Sequence, residues 1–313
     1  MILITGAGGM LGRYLLEQFG EGKDESQQEP THDKDVFTLG LRPESDFRID
    51  LSQETPDFGE KRFVTVVHAA GTEEEEGAME LNLEGTKHLL SALTDTPPNQ
   101  FVYISSYKVY SRDAGENVTE ESNTWATDKT GRSKALTEEY VRNWCKERGV
   151  TLSIIRPARM FGEGVKGETL QLFNDALTGK YIHIRGNDSK ISVVCALDVA
   201  RGIKKVYEKG GIYNAADPTP VRLIDLVESL TANAGAKKRM SHLPASWAEW
   251  LWRLGRWIPS ISRNLDPKVV EGRMKTLTLD GSHFEEISGI NYHDTIAVIE
   301  RRDKTYPYKD NPR

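Results

Sequence analysis

Gly6, Gly9 and Gly12, in the stretch Ile4-Thr5-Gly6-Ala7-Gly8-Gly9-Met10-Leu11-Gly12, stand directly behind the apolar run Ile2-Leu3-Ile4. Glycines at this spacing between a strand and a helix suit the reception of a diphosphate. The first permits the tight turn, the second lets backbone approach the phosphates, and the third lets a helix beginning at Met10 or Leu11 pack close to the strand. The free N–H groups and positive end of that helix then face the anion. Three glycines alone would also make an ordinary loop; the context is what makes these a dinucleotide fingerprint. Thr5 closes the strand without a spacer, and Leu11, Leu15, Leu16 and Phe19 follow with helical periodicity.

The elements that must position such a turn recur along the chain. Strand-like runs at Val36 to Leu41, Phe63 to His68, Phe101 to Ser105, Thr151 to Ile155 and Ile212 to Ala215 alternate with helical patterns. This alternation predicts an α/β fold with a parallel sheet and right-handed crossovers. Gly20 to Asp35 has no apolar period and reads as an exposed loop. Past Pro157 the regularity loosens. We therefore expect a dinucleotide-binding domain of residues 1–156 plus about 195–217, and a smaller, mostly helical C-terminal substrate lobe of about 157–194 and 218–313.

With 313 residues and a formal net charge of −6, the chain can bury a full core and has no Lys/Arg run for nucleic acid. The only cysteines, Cys145 and Cys195, form no paired motif, which points to a reducing, cytoplasmic setting. The seven histidines make no helical ligand pair, so no metal site is expected. Neither a secretory leader nor a membrane-crossing run is expected. Trp247, Trp250, Leu251, Leu254 and Trp257 fall on one helical face, which reads either as a helix packed on the lobe or a partner, or as a peripheral membrane contact.

Several further segments resemble the extended short-chain dehydrogenase/reductase superfamily, the group containing NAD-dependent epimerases and dehydratases. They are Asp50-Leu51, His68-Ala69-Ala70-Gly71, Asn82 in LNLEGTKHLL, Ile104 to Tyr110, Arg156-Pro157 with Phe161-Gly162, Val193 to Ala200 with Asp198, and Tyr213-Asn214. The resemblance implies a Rossmann-type doubly wound sheet and a small-molecule substrate. It implies that Gly6, Gly9, Met10, Leu11 and Gly12 hold the cofactor diphosphate and that Asp50 and Leu51 hold the adenine. It also puts Ala69, Ala70, Gly71 and Pro157 beside the cofactor, Lys134 on its ribose, and Ser106 in the role of the catalytic serine. His68 reads as a structural histidine more than as an acid or base. Glu73 to Glu76 reads as a solvated helix start, or as a charge barrier if it borders the pocket.

Two departures matter. The place where an NAD site carries an acid reads Leu39-Gly40-Leu41-Arg42, so Arg42, with Arg13, could clamp the 2′-phosphate of NADP; the reading leans to NADP over NAD. Second, the superfamily's Tyr, four residues before its Lys, is here Thr130 in Thr130-Gly131-Arg132-Ser133-Lys134, and none of the 11 tyrosines has Lys four residues later. A threonine oxygen stops short of a phenol's reach, and its pKa lies far above a phenol's roughly 10. Tyr107 and Tyr110 are alternative proton donors. Two functions stay open: an oxidoreductase or sugar epimerase/dehydratase-like enzyme with a non-standard proton relay, or a catalytically silent NAD(P)-binding sensor.

The substrate class also stays open. Relatives that use nucleotide sugars carry an Arg where Ile191 stands, beside Lys190, whereas Leu243-Pro244 and the tryptophans after it resemble the hydroxysteroid side of the superfamily. Helices near Ala78 to Leu93 and Ser133 to Arg148, the latter with Leu136, Tyr140 and Trp144 on one face, would suit either a homodimer or packing within the chain's own core.

Overall fold

The computed structural model describes all residues except 21–34, 234–239, 245, 248–249, 251–265 and 302–313. The predicted loop from Gly20 to Asp35 and most of the tryptophan-rich segment lie outside the described residues.

Seven parallel strands form the main sheet. They are β1 (Ile2–Thr5), β2 (Val36–Gly40), β3 (Phe47–Arg48), β4 (Thr65–His68), β5 (Gln100–Ile104), β6 (Thr151–Pro157) and β7 (Gly211–Ala215), in the order β3-β2-β1-β4-β5-β6-β7. The order reverses beside β1, so the carboxyl ends of β1 and β4 open a crevice at the switch point where α/β folds bind ligands. Successive residues on these strands face opposite sides. Ile4, Val67 and Val102 join the core under α1 (Met10–Gly20) and the helix Ala196–Val206. Leu3, Val66 and Phe101 join the core under α2 (Gly85–Ala92) and α3 (Lys129–Arg148).

After β6 come α4 (Gly167–Leu177), the helix Ala196–Val206, here α5, and α6 (Leu223–Asn233). A third apolar cluster gathers around Leu172, Leu226 and Val227. Short strands accompany these helices. One four-stranded sheet runs, edge to edge, Val221–Arg222, Lys190–Ile191, Leu277–Leu279 and Gly115–Val118, so it draws in a strand from the 1–156 stretch expected to belong to the dinucleotide-binding domain.

Between α5 and the segment 292–295 lies a buried polar knot. Asp198 accepts the His293 backbone N–H at 2.8 Å and faces His293 Nδ1 at 2.6 Å. Asp217 accepts Thr295 N–H at 3.1 Å through Oδ2, whereas its buried Oδ1 has no partner among the described residues. Burial, with Asp198 and Asp294 nearby, pushes the Asp217 carboxyl up to about 7. The folded protein therefore holds a proton that the unfolded chain releases near pH ~4. Stability from this group is full below about pH 4 and is lost as pH rises from there through about 7. Asp217→Asn is expected to gain about 1–3 kcal/mol at pH ~8 and little at pH ~4. Urea unfolding at both pH values measures this, and equal changes would contradict it.

Candidate functional site

The glycine turn at the end of β1 is held by its own backbone, with Gly9 N–H donating to Gly6 O at 2.8 Å. Gly6 adopts φ +68°, and a Cβ there would sit 2.6 Å from Ala70 N. A Cβ at Gly12 would sit 2.2 Å from Gly6 O. Both positions are filled by close backbone packing, and the tight turn this permits at the start of α1 fits a dinucleotide diphosphate. Met10 and Leu11 open that helix, Leu11 with its side chain in the core. Arg42 lies across the turn: a Cβ at Gly8 would meet its Nε at 2.4 Å. Its guanidinium is half exposed, 3.5 Å from Glu44. Arg13 is engaged elsewhere, donating to Glu163 O at 2.7 Å.

Beside the turn, a chain of hydrogen bonds fixes the end of β4. Ala70 N–H donates to Thr5 Oγ1 (3.1 Å), Thr5 Oγ1 meets His68 Nδ1 (2.7 Å), His68 Nε2 meets Thr86 Oγ1 (2.8 Å), and Thr86 donates to Asn82 O. Every donor finds one acceptor only if Thr5 donates to Nδ1 and Nε2 carries the proton, which assigns the tautomer from the network. Burial, with Lys134 nearby, pulls His68 down to about 3. His68 is thus a neutral positioning group. Asp50 accepts Ser52 N–H at 3.0 Å and so shapes its own turn, and Leu51 is buried with its carbonyl 2.7 Å from His88 Nδ1. Pro157 pairs with Ala215 at the end of β6.

Asn82 sits in a π-helical stretch, Met79–Glu84, a local geometry often found at functional sites. It accepts Thr72 N–H at 2.8 Å and donates to Ser133 Oγ at 2.9 Å. A Cβ at Gly71 would sit 2.7 Å from Asn82 Oδ1 and 2.8 Å from Lys134 Nζ, so the 71–72 backbone passes close over both. Lys134 donates to Ile104 O at 2.9 Å and stands 5.1 Å from the Tyr103 ring centre. Its burial pulls the ammonium down to about 8, against the pull of Glu73 and Glu138.

Ser106 caps the 3-10 turn Tyr107–Val109 by accepting Lys108 N–H at 3.3 Å. Thr130 is buried in the first turn of α3 and donates to Glu73 O at 3.2 Å. Its hydroxyl ties down the 71–77 strip. Tyr110 does not serve as a free phenol: it donates to Asn214 Oδ1 and accepts from Arg156 Nη1, each at 2.8 Å. Of the face expected to pair, Leu136 and Tyr140 are exposed, but Trp144 is buried against Phe101.

The chain matches the model of the NAD dependent epimerase/dehydratase family over residues 2–216. The chain belongs to this family. It is accordingly an enzyme of the epimerase/dehydratase class with a nicotinamide dinucleotide, NAD(P), as cofactor. A relative from Escherichia coli O157:H7, N-acetyl-alpha-D-glucosaminyl-diphospho-ditrans,octacis-undecaprenol 4-epimerase, is 25% identical over 78% of this chain and 75% of its own. UDP-glucose 4-epimerase of Vibrio cholerae is 28% identical over 55% of each chain. Among solved structures, a UDP-glucose 4-epimerase from Thermotoga maritima with UDP-glucose superposes with TM-score 0.72 at 16% identity, covering 96% of this chain and 97% of its own. RMD from Pseudomonas aeruginosa with NADPH gives 0.70 at 18% identity over 96% and 97%.

The family sites also have neighbours that no motif announced. Lys108 Nζ lies 3.2 Å from Glu168 Oε1, and Arg159 Nη2 lies 3.8 Å from Glu168 Oε2. Only the adjacency of Lys108 to Ser106 could have flagged this cluster. Ile191 and Lys190 are occupied elsewhere: Ile191 packs on the lobe's apolar cluster and Lys190 pairs with Glu116 at 3.1 Å.

Proposed function

We propose that this protein is an NAD(P)-dependent sugar epimerase or dehydratase, acting on a diphosphate-linked sugar, with a proton relay that does not pass through residue 130. One observation carries the reading: Thr130 directs its hydroxyl to Glu73 O, while Lys134 and Ser106 keep sites beside the crevice. The two sequence relatives described above, both epimerases by name, support the sugar substrate. In this reading the glycine turn and α1 hold the diphosphate, Asp50 and Leu51 the adenine end, and Lys134 the ribose hydroxyls. Ala69, Ala70, Gly71 and Pro157 flank the nicotinamide. When bound, the nicotinamide supplies reversible hydride transfer at the substrate carbon. Ser106 accepts from Lys108 N–H, which leaves its own O–H to donate to the reacting oxygen.

Arg42, lying over the turn with no acid at the end of β2, favours NADP. Exposed Leu136 and Tyr140 suit a homodimer contact, and Trp247 and Trp250, 57% and 58% exposed, suit a partner or membrane surface. No helix among the described residues is long and apolar enough to cross a membrane. Cys145 and Cys195 are buried and form no disulfide, which fits a cytoplasmic setting.

The test is calorimetric titration with NADP and NAD, followed by NMR analysis of UDP-glucose and UDP-N-acetylglucosamine incubated with the loaded protein. Tighter NADP binding and appearance of the C4 epimer, or of a dehydrated sugar, are expected. Cofactor binding with both sugars untouched would overturn the sugar reading.

A further inference from the structure

The turn that carries Ser106 also carries a phenol, its ring packed in part against the core. Tyr107 is partly exposed, follows Ser106 directly, and has the Arg159 guanidinium 5.8 Å from its ring centre. Gly131, next to Thr130, packs onto this turn so closely that a Cβ there would sit 2.0 Å from Lys108 O. The turn and position 130 are therefore immediate neighbours. Glu73 links them: its carbonyl accepts from Thr130, and its carboxylate acts electrostatically on Tyr107, Lys108, Arg159 and Lys134 alike.

We propose that Tyr107 is the catalytic proton donor, delivered from the 3-10 turn to the space beside position 130, with Arg159 and Lys108 as the cations that steady its phenolate. The reading rests on the proposed enzymatic function. A phenol paired with cations is what the missing Tyr–Lys spacing would otherwise provide, here assembled from the strand Arg159–Phe161, the turn and α4. In the reductive direction the Tyr107 O–H bond breaks and its pair stays on the phenolate oxygen. The proton bonds to the substrate carbonyl oxygen through the pair released from the C=O π bond. The hydride needed at the carbon, a hydrogen with its electron pair, is what a reduced nicotinamide would supply when bound. Water then reprotonates the phenolate, and the oxidative direction runs the same transfers backward.

The surroundings set the phenol's acidity. Burial of most of the ring raises its pKa above the ordinary phenol range, Arg159 and Lys108 oppose this, and Glu168 and Glu73 add to it. Arg112 and Asp128 face the same cluster, Arg112 toward Glu168 and Asp128 toward Lys108. Tyr107 consequently stays protonated at neutral pH, and the two cations are what favour release of its proton.

The experiment is NMR of the full chain carrying 13Cζ-tyrosine, with the Tyr107 resonance assigned through Tyr107→Phe. Glu168→Gln is expected to lower the Tyr107 midpoint by about one pH unit and Arg159→Met to raise it similarly. The alkaline limb of turnover with NADP and UDP-N-acetylglucosamine, or UDP-glucose if that is the sugar converted, should move with the midpoint in both variants. Tyr107→Phe should cut turnover at least about 100-fold with cofactor affinity unchanged. Turnover within about threefold of wild type in Tyr107→Phe, or a limb that ignores the midpoint, overturns the proposal. A Tyr107 resonance insensitive to both charge substitutions does so even where neither sugar is converted, so failure of the relay and failure of the sugar reading are separable.

Discussion

Replacing Glu138 by alanine is expected to cost about 3–5 kcal/mol of folding stability, because it strands the Arg156 guanidinium in the interior. The two side chains are 3% and 2% exposed. Arg156 donates to Glu138 through Nε at 2.9 Å and Nη2 at 2.6 Å, a two-pronged pairing, and through Nη1 to Tyr110 Oη at 2.8 Å and Glu120 O at 3.1 Å. Burial opposes the guanidinium's charge, but Glu138 and Tyr110 hold its pKa above the ordinary value. Asn214 extends the network, donating its backbone N–H to Glu120 Oε1 at 2.7 Å and its side-chain N–H to Val118 O at 2.9 Å. One carboxylate therefore ties α3 to β6, and through Tyr110 and Asn214 to β7 and the strand Gly115–Val118. Glu138 lies one turn beyond Lys134 on α3, so its loss should also loosen the lysine and weaken NAD(P) binding. Urea unfolding of Glu138→Ala beside the double variant Glu138→Leu/Arg156→Met separates the two effects. The double variant should recover most of the stability, since it removes the unpaired charge. A loss under about 1 kcal/mol in the single variant would mean that Arg156 reaches water.

How much of this was legible beforehand follows from the range of the forces involved. The main strands were readable because pairs such as Leu3-Ile4, Val66-Val67 and Phe101-Val102 supply both faces of a buried sheet. The glycine turn was readable because its constraints are local. Trp144 parts from Leu136 because a step of four residues advances about 40° past a full turn, so the two stand about 80° apart on α3. That angle is enough to leave Leu136 in solvent and drive Trp144 into the core. The charge cluster was invisible for a different reason. Glu73, Lys108, Arg159 and Glu168 come from four separate segments, and no spacing in the chain encodes their meeting. Asp198 likewise carries a family motif, yet its partner His293 lies 95 residues away.

Gly12→Ala is expected to weaken NAD(P) binding at least about 100-fold, or roughly 2.7 kcal/mol. The added methyl carbon would lie 2.2 Å from Gly6 O and 2.7 Å from Ala7 Cα. Both obstacles are backbone, so no rotamer change relieves them; either α1 moves off the turn or the turn opens. Gly6→Ala faces 2.6–2.7 Å contacts with Ala69 and Ala70 backbone and, at φ +68°, a strained backbone as well. Gly9 differs from both. Its methyl carbon would come within 3.1 Å of Gly6 O, a tight contact that a shift of a few tenths of an ångström relieves, so Gly9→Ala should lower the melting temperature far less than Gly12→Ala while hindering the approach of the phosphates. The three variants thus sort space taken by the fold from space reserved for the ligand. Thermal melts without cofactor, beside calorimetric affinities for NADP and NAD, read the two separately. If Gly9→Ala lowered stability as much as Gly12→Ala and left affinity intact, the turn would be a packing device and the diphosphate would have to bind elsewhere.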